Sequence, residues 1–199
     1  MVKIAVLILA GGFSSRMKTP KQLLKIGDNY LLELVLEKAF SIQKQHIFCV
    51  LGNNSEEIQE KIKFENCTII VNKNPEKGLS SSIVSGVKYL QKNGLSFDGI
   101  CVLLADQPAI EKSYLKAMYQ LFEREKTKII ASNYGNKFGV PAIIPKKYFS
   151  TLLWIEGDKG AKEFINAKKN DVLCPKLSTN FIDIDTKEDF ESYKKLISK

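Results

Sequence analysis

Histidine is almost missing from this sequence: among 199 residues there is one, His46. Transferases and hydrolases that act on alcohols usually need a base of that kind to deprotonate the nucleophile, so a reaction whose nucleophile is already ionised is favoured. His46 precedes a strand, belongs to no motif, and is expected at a strand edge. Cysteine is also sparse. Cys49, Cys67, Cys101 and Cys174 stand far apart, form no C-x-x-C pair, and three lie in apolar runs. They are expected to be reduced core residues in a reducing compartment. No apolar stretch approaches the ~18 residues that span a bilayer. The run from Ile4 to Ala10 follows Lys3 but leads straight into a glycine loop and a basic segment, which marks a buried first strand rather than a secretory leader. There is no internal repeat, no low-complexity tract and no Pro/Gly/Ser-rich linker. One soluble, cytoplasmic domain over residues 1–199 is therefore expected, long enough to hold its own core without disulfides or a structural metal.

What the sequence does have is basic charge: 30 Lys and Arg against 22 Asp and Glu, a formal net charge of +8. The lysines alternate with glutamates along the whole length instead of forming one stripe. That argues against nucleic acid as the partner and suits a small, phosphate-rich ligand. Short β-rich apolar runs alternate with segments of helical period, the pattern of a mostly parallel sheet flanked by helices. Strands are predicted at 3–9, 46–51, 68–71, 99–105, 128–132, 142–144 and 181–184, and helices at 31–41, 80–91, 112–126 and 188–197. Residues 135–145 and 155–167 look like excursions at the carboxyl edge of the sheet, where such folds hold ligands.

Five segments carry chemistry. The first strand runs into Leu9-Ala10-Gly11-Gly12-Phe13-Ser14-Ser15-Arg16-Met17, and Pro20-Lys21-Gln22 follows shortly. Adjacent glycines let the backbone approach a ligand closely and present N–H groups to phosphate oxygens, and Arg16 and Lys21 can neutralise a triphosphate. The loop has neither the Gly-Lys-Ser/Thr of a P-loop nor the spacing of a dinucleotide fingerprint. Asp106 stands where the strand at 99–105 stops, with Pro108 behind it, so its carboxylate projects from the carboxyl edge, where a hard oxygen ligand can hold Mg²⁺ against phosphates. Asp183 and Asp185 lie two apart on the predicted last strand and would face one side of the sheet as a second ligand with a supporting carboxylate; capping of the terminal helix is the other reading of one of them. Gly78 to Ser82 opens a helix whose free N–H groups and hydroxyls can meet a nucleotide or an anionic substrate, although a plain serine cap fits the same residues. Asn53, in a turn after the second strand, can bond a base or ribose.

Taken together these segments resemble the MobA-like nucleotidyltransferases. Leu9-Ala10-Gly11-Gly12 with Ser14-Ser15-Arg16-Met17 and Pro20-Lys21 is similar to the signature loop of that superfamily. Gly78-Leu79-Ser80-Ser81-Ser82, Leu104-Ala105-Asp106-Gln107-Pro108, Gly139-Val140-Pro141 with Gly157-Asp158-Lys159-Gly160-Ala161, and Ile182-Asp183-Ile184-Asp185 follow in the family's order. They resemble most its molybdenum-cofactor cytidylyltransferase branch. The resemblance implies a single three-layer α/β/α domain of the nucleotide-diphospho-sugar transferase type with a Rossmann-like sheet, the nucleotide held by about residues 1–110 and the acceptor by about 111–199. It implies Arg16, Lys21 and Asp106 as catalytic residues, and Asp106 and Asp185 as ligands of Mg²⁺. Leu9, Ala10, Gly11, Gly12, Asn53, Gly78 and Ser82 would contact the nucleotide, and Gln107, Pro108, Gly139, Asp158, Lys159 and Asp183 the acceptor. Val140 stands where the cytidylyl branch often has His, which removes a polar contact from that loop.

The implied reaction is transfer of a nucleoside monophosphate, from CTP, to the phosphate of the molybdenum cofactor pterin, with release of pyrophosphate and a molybdoenzyme as recipient of the product. A terminal phosphate needs no base, in keeping with the scarcity of histidine; the protein has to position the groups and neutralise charge. Ala10-Gly11-Gly12 is closer to the guanylyl branch, and the block from Gly157 to Ala161 is closer to the cytidylyl one. Transfer of GMP to the same cofactor, transfer to a sugar, alditol or isoprenoid phosphate, and a non-catalytic nucleotide- or cofactor-binding protein are the alternatives.

Overall fold

The computed structural model describes residues 2–12, 19–158 and 160–198. The first strand, β1 (Ile4–Ala10), is buried along its whole length, and its side chains divide by parity as a pleated strand requires. Ile4, Val6, Ile8 and Ala10 join one core, and Ala5, Leu7 and Leu9 join another on the opposite face. Both faces must therefore be covered, and helices cover them. In chain order there follow a 3₁₀ turn at Lys21–Leu23, the short hairpin β2 (Lys25–Ile26) and β3 (Asn29–Tyr30), α1 (Leu31–Ile42), β4 (Ile47–Leu51), α2 (Ser55–Lys61) and β5 (Cys67–Val71). Next come α3 (Leu79–Lys92), β6 (Gly99–Leu104), α4 (Lys112–Arg124), β7 (Ile129–Asn133) and β8 (Phe138–Pro145), and the chain continues through α5 (Phe149–Leu152), α6 (Ala161–Ala167), β9 (Val172–Leu173) and α7 (Lys187–Ile197).

The main sheet has seven strands in the order β5-β4-β1-β6-β8-β7-β9. Strands β5, β4, β1 and β6 pair in parallel, β8 is antiparallel to both its neighbours, and β9 is parallel to β7. The mostly parallel α/β sheet expected from the sequence is thus present, with β8 the strand that runs the other way. Helices α1 and α4 pack on one face through Leu32, Val35 and Leu36 and through Tyr114, Leu115, Met118 and Phe122. Helix α3 packs on the other through Ile83, Val87 and Leu90, beside Leu152 of α5 and Phe164 and Ile165 of α6. Burying each of these side chains contributes roughly 1.5–3 kcal/mol. Close approach of α3 needs a glycine: a Cβ on Gly86 would lie 2.6 Å from Cδ1 of Leu7.

The chain leaves β1 toward β4 on one side and reaches β6 on the other, which makes the carboxyl ends of β1 and β6 the switch point at which ligands settle in open α/β sheets. Glycines 11 and 12 follow β1, and Asp106 follows β6.

One predicted strand is corrected. Residues 181–184 form no strand; the segment is joined to the β6 end by the Ile184 amide, which donates to the Asp106 carbonyl at 2.9 Å. Strand β9, from residues not assigned to a strand, takes the sheet edge instead. Helix α2 was also not anticipated. At β9 and α2 the reason is the same: two residues of ladder or one buried helical contact, Ile58, leave almost no periodic signal.

Candidate active site

The carboxyl edge between β1 and β6 gathers the acidic residues picked out above. Lys21, at the start of the 3₁₀ turn, reaches across this edge so that its ammonium contacts the Asp106 carboxylate and lies 3.0 Å from Oδ1 of Asp185. Burial works against its charge, but the two carboxylates outweigh it and hold the Lys21 pKa above the ordinary lysine value. Lys21 and Asp106 side chains are 13% and 19% exposed, whereas that of Asp185 is 53% exposed. The second Asp106 oxygen, Oδ1, is buried without a hydrogen-bond partner. An inward-facing carboxylate oxygen with nothing to accept from is a place for a cation. No group of three or more His, Cys, Asp or Glu side chains able to hold a metal exists among the described residues. Two carboxylates and an orphaned oxygen match the way Mg²⁺ is usually held, by one or two carboxylates plus the phosphates it arrives with.

Asp185 and Asp183 share this edge for a reason other than the one expected. They are not alternate residues of a strand. Thr186 caps α7 in a reciprocal box with Asp189, which leaves Asp185 outside the helix and its carboxylate turned to Lys21. Asp183 instead accepts from Nε2 of Gln107 at 2.7 Å, and burial, with Asp106 and Asp185 nearby, raises its pKa.

The glycine loop is built on backbone contact. A Cβ on Gly52, just beyond β4, would fall 2.6 Å from the Gly11 carbonyl oxygen, and one on Gly11 would fall 3.0 Å from Oγ of Ser82. Leu9 and Ala10 are buried, and their carbonyls accept from the Ala105 amide at 3.1 Å and from Nε2 of Gln22 at 2.6 Å. Gly12 is exposed at the loop, and Asn53 is exposed in the turn next to Gly52. Arg16 and Lys159 lie outside the described residues.

At the start of α3 the cap residue is Gly78, at φ 82°, rather than a serine. A Cβ there would collide with Asp158, whose backbone N would be 2.8 Å away, so the 157–158 turn sits directly on the helix end. Ser81 Oγ donates to the Gly78 carbonyl at 2.7 Å, and the Ser80 amide to the Gly157 carbonyl at 3.2 Å. Asn72, buried at the end of β5, ties this turn together. Its Nδ2 donates to Oγ of Ser81 and of Ser82 at 2.7 and 3.2 Å, and its Oδ1 accepts from Oγ of Ser85 at 3.2 Å.

Between these parts lies a cleft of about 430 Å³. Asp106, Gln107, Gly139, Asp158, Asp183 and Asp185 all line it, together with Tyr134 and Lys162. Pro108 does not. Its carbonyl faces away, toward α1 and α7, where it accepts from the Lys38 ammonium and from Tyr193 Oη. A larger groove of about 1040 Å³ runs between β5 and α3 past Trp154, but it contains none of the carboxylates.

Sequence reasoning missed Gln22, Asn72 and Tyr134. Gln22 directly follows Lys21 and Asn72 closes the β5 run, which were the available signals. Tyr134 follows an irregularity in the β7–β8 register between Ala131 and Ser132, a feature that periodicity cannot show.

Residues 6–172 match the model of the MobA-like NTP transferase domain. The chain belongs to that family. It is 27% identical to the purine catabolism protein PucB of Bacillus subtilis over 200 residues, 96% of this chain and 95% of that protein. It is 28% identical to a protein of Natranaerobius thermophilus named "Probable molybdenum cofactor guanylyltransferase" over 209 residues, 98% and 97% of the two chains. Among solved structures, Rv0371c of Mycobacterium tuberculosis superposes with a TM-score of 0.83 at 23% identity over 98% of each chain, and a manganese complex of it with a TM-score of 0.76 at 22% identity over 97% of this chain and 98% of that one. Family membership makes the protein a nucleotidyltransferase. No helix among the described residues is long and apolar enough to cross a membrane.

Proposed function

We propose that the protein transfers CMP from CTP to the phosphate of the molybdenum cofactor pterin, with release of pyrophosphate and with Mg²⁺. The observation that carries this reading is the Lys21 ammonium between Asp106 and Asp185 at the mouth of the 430 Å³ cleft. Mg²⁺, when bound, neutralises triphosphate charge at Asp106 and Asp185. The Gly11-Gly12 amides and Arg16 hold the triphosphate, with Leu9, Ala10, Asn53, Gly78 and Ser82 around the nucleoside, and Lys21 meets the negative charge that grows on the departing pyrophosphate. A terminal phosphate oxygen of the acceptor attacks the α-phosphorus in line. The bond from the α-phosphorus to the oxygen bridging to the β-phosphate breaks, and no base is required. Residues from about 1–110 hold the nucleotide in this proposal and those from about 111–199 the acceptor, with Gln107, Gly139, Asp158, Lys159 and Asp183 on the acceptor side. Four free cysteines, two of them buried, suit a cytoplasmic setting, and the product is one a molybdoenzyme can receive.

The molybdenum cofactor is favoured as acceptor by the full-length likeness to a protein named for a molybdenum cofactor guanylyltransferase. The same likeness, with Ala10-Gly11-Gly12, favours GTP as the second reading of the donor, against the Gly157-Asp158-Lys159-Gly160-Ala161 block that favours CTP. A thermal-shift screen of the four nucleoside triphosphates with Mg²⁺ separates them. A ligand at 100 times its Kd adds about 2.7 kcal/mol, so CTP is expected to raise Tm by several degrees more than GTP. The opposite order transfers the assignment to GTP.

A further inference from the structure

The groove between β5 and α3 holds none of the residues assigned to the reaction. Strand β5 ends the sheet, and its five residues, Cys67-Thr68-Ile69-Ile70-Val71, include neither charge nor proline. The Asn72 amide donates to the Leu51 carbonyl of β4 at 2.8 Å. Backbone groups alternate in direction along a strand, so Thr68 and Ile70 turn theirs to β4 as well, and Ile69 and Val71 turn theirs out of the sheet. An edge of this kind is a template for another strand unless charge, proline or a covering element blunts it. Helix α3 starts beyond the end of β5 and runs back beside it. Asn72 is bonded to Ser81 and Ser85, which turns that stripe of α3 to the β5 edge, and Lys88 and Lys92 continue the stripe at helical spacing. Lys73 and Lys77 line the groove where β5 ends. All four lysines are exposed, and among the described residues they form no ion pair; Glu156 is the one acidic residue in the lining. Trp154, the sole tryptophan of the chain, lies in the same lining and is 84% exposed, an indole without the burial such rings normally gain.

We propose that this groove docks an acidic, extended segment of a partner protein, which adds a strand to β5 and covers Trp154 with an apolar side chain. Backbone pairing on β5 supplies affinity, Trp154 is the anchor, and the lysines choose the partner by charge. A second copy of the chain would bring another four unpaired lysines to the same seam, and facing like charges are destabilising. Single-stranded nucleic acid would meet the lysines but only a single exposed aromatic ring, where such sites stack successive bases. Nor does a phosphate chain offer the alternating donors and acceptors that the Ile69 and Val71 backbone can pair with. The groove adjoins the cleft: Ser80 and Gly157 line the groove, and their neighbours Leu79 and Asp158 line the cleft. A docked partner therefore stands one turn of chain from the cleft mouth. Docking does not depend on which nucleotide or acceptor the cleft takes.

Trp154 makes the test direct, because tryptophan emission from this chain reports on the groove alone. The probe is a peptide of about ten residues, alternating glutamate and valine around one central phenylalanine, titrated into the full chain. A saturable change in emission is expected, with binding at least about tenfold tighter than that of the same peptide with glutamine for glutamate, and weaker as salt is raised. Lys88→Glu combined with Lys92→Glu is expected to weaken binding at least about tenfold, with the melt and the stabilisation by nucleotides left as in wild type. Lys88→Gln with Lys92→Gln, which adds no negative charge, is expected to give a smaller loss of the same kind. N-methylation of the peptide at alternate residues tests strand pairing: the phase that faces β5 should abolish binding, and the other phase should keep it. No change in emission, equal affinity for the glutamine peptide, unaltered binding in both lysine variants, or equal effects of the two methylation phases overturns the proposal. Tighter binding of oligouridylate than of the acidic peptide would give the groove to RNA instead, and a sedimenting dimer whose Trp154 emission changes with its own concentration would give it to a second copy; either result overturns the proposal as well.

Discussion

Replacing Lys21 by methionine removes an ammonium that two carboxylates share, and the structure gives the size of the effect. Lys21 and Asp106 are 13% and 19% exposed at their side chains, and Asp106 Oδ1 already lacks a partner. In Lys21→Met the Asp106 carboxylate is stranded. Breaking a fully buried pair from one side costs about 3–5 kcal/mol, whereas the exposed Asp185 arm of the bridge is worth about 0–1 kcal/mol. Residual solvent contact at Asp106 brings the expected loss to about 2–3 kcal/mol. For a chain of this size each kcal/mol moves Tm by about 2–4 °C, so calorimetry at pH 7 should record a drop of about 5–10 °C. Adding Asp106→Asn removes the stranded charge, and the double variant should melt above Lys21→Met alone. The pH dependence has a definite sign. The folded-state pKa of Lys21 is raised, so its stabilising contribution is fully present below the ordinary lysine value of 10.5 and is lost only as the pH rises through the folded value. The deficit of Lys21→Met should therefore stay constant from about pH 6 to 9. Melting within a degree of wild type, or a double variant less stable than the single, would refute the bridge as a structural element.

Asp106→Ala and Asp185→Ala should each lower pyrophosphate release by orders of magnitude, with the double variant little worse than either, because groups that act as a unit are not additive; multiplying losses in steady-state assays would separate them. Lys38 is held to a pKa of about 8, chiefly by burial and then by Lys112. Its folded value lies below its unfolded one, so urea midpoints should rise between about pH 8 and 10.5. That rise should be absent in Lys38→Met, and a wild-type midpoint that stays flat would contradict the shift. Gly52→Ala places a methyl carbon 2.6 Å from the Gly11 carbonyl oxygen and should weaken nucleotide stabilisation in a thermal-shift assay, whereas unchanged stabilisation would detach β4 from the loop. Asn72→Ala should destabilise by about 1–3 kcal/mol, because the start of α3 loses its buried tie, and a denaturation midpoint equal to wild type would deny that role.

The parts of the molecule that were legible in the sequence are those written in strong periods. The β1 run with both faces apolar, and α1, α3, α4 and α7 with their stripes, sit within a few residues of their predicted bounds. Asp106 was placed correctly because a strand ending before a proline has few other outcomes. The last strand was misread because Phe181, Ile182 and Ile184 carry a strand-like pattern that tertiary contacts override: one amide bond to the Asp106 carbonyl holds the segment with no ladder. Asp183 and Asp185 were grouped on the wrong ground for the same reason. Tyr134 and Asn72 act through partners 27 and 9 to 13 residues away, and no local pattern encodes such distances.

Nucleotidyl transfer is tested most directly by following the α-phosphorus. With Mg²⁺, the molybdenum cofactor pterin and CTP labelled at the α-position, label should enter the pterin, with one pyrophosphate released for each label incorporated. γ-labelled CTP should leave the pterin unlabelled, and Asp106→Ala should incorporate almost nothing. Tight binding of the nucleotide with no label transferred to the pterin or to any sugar phosphate, from any of the four triphosphates, would contradict the proposed reaction.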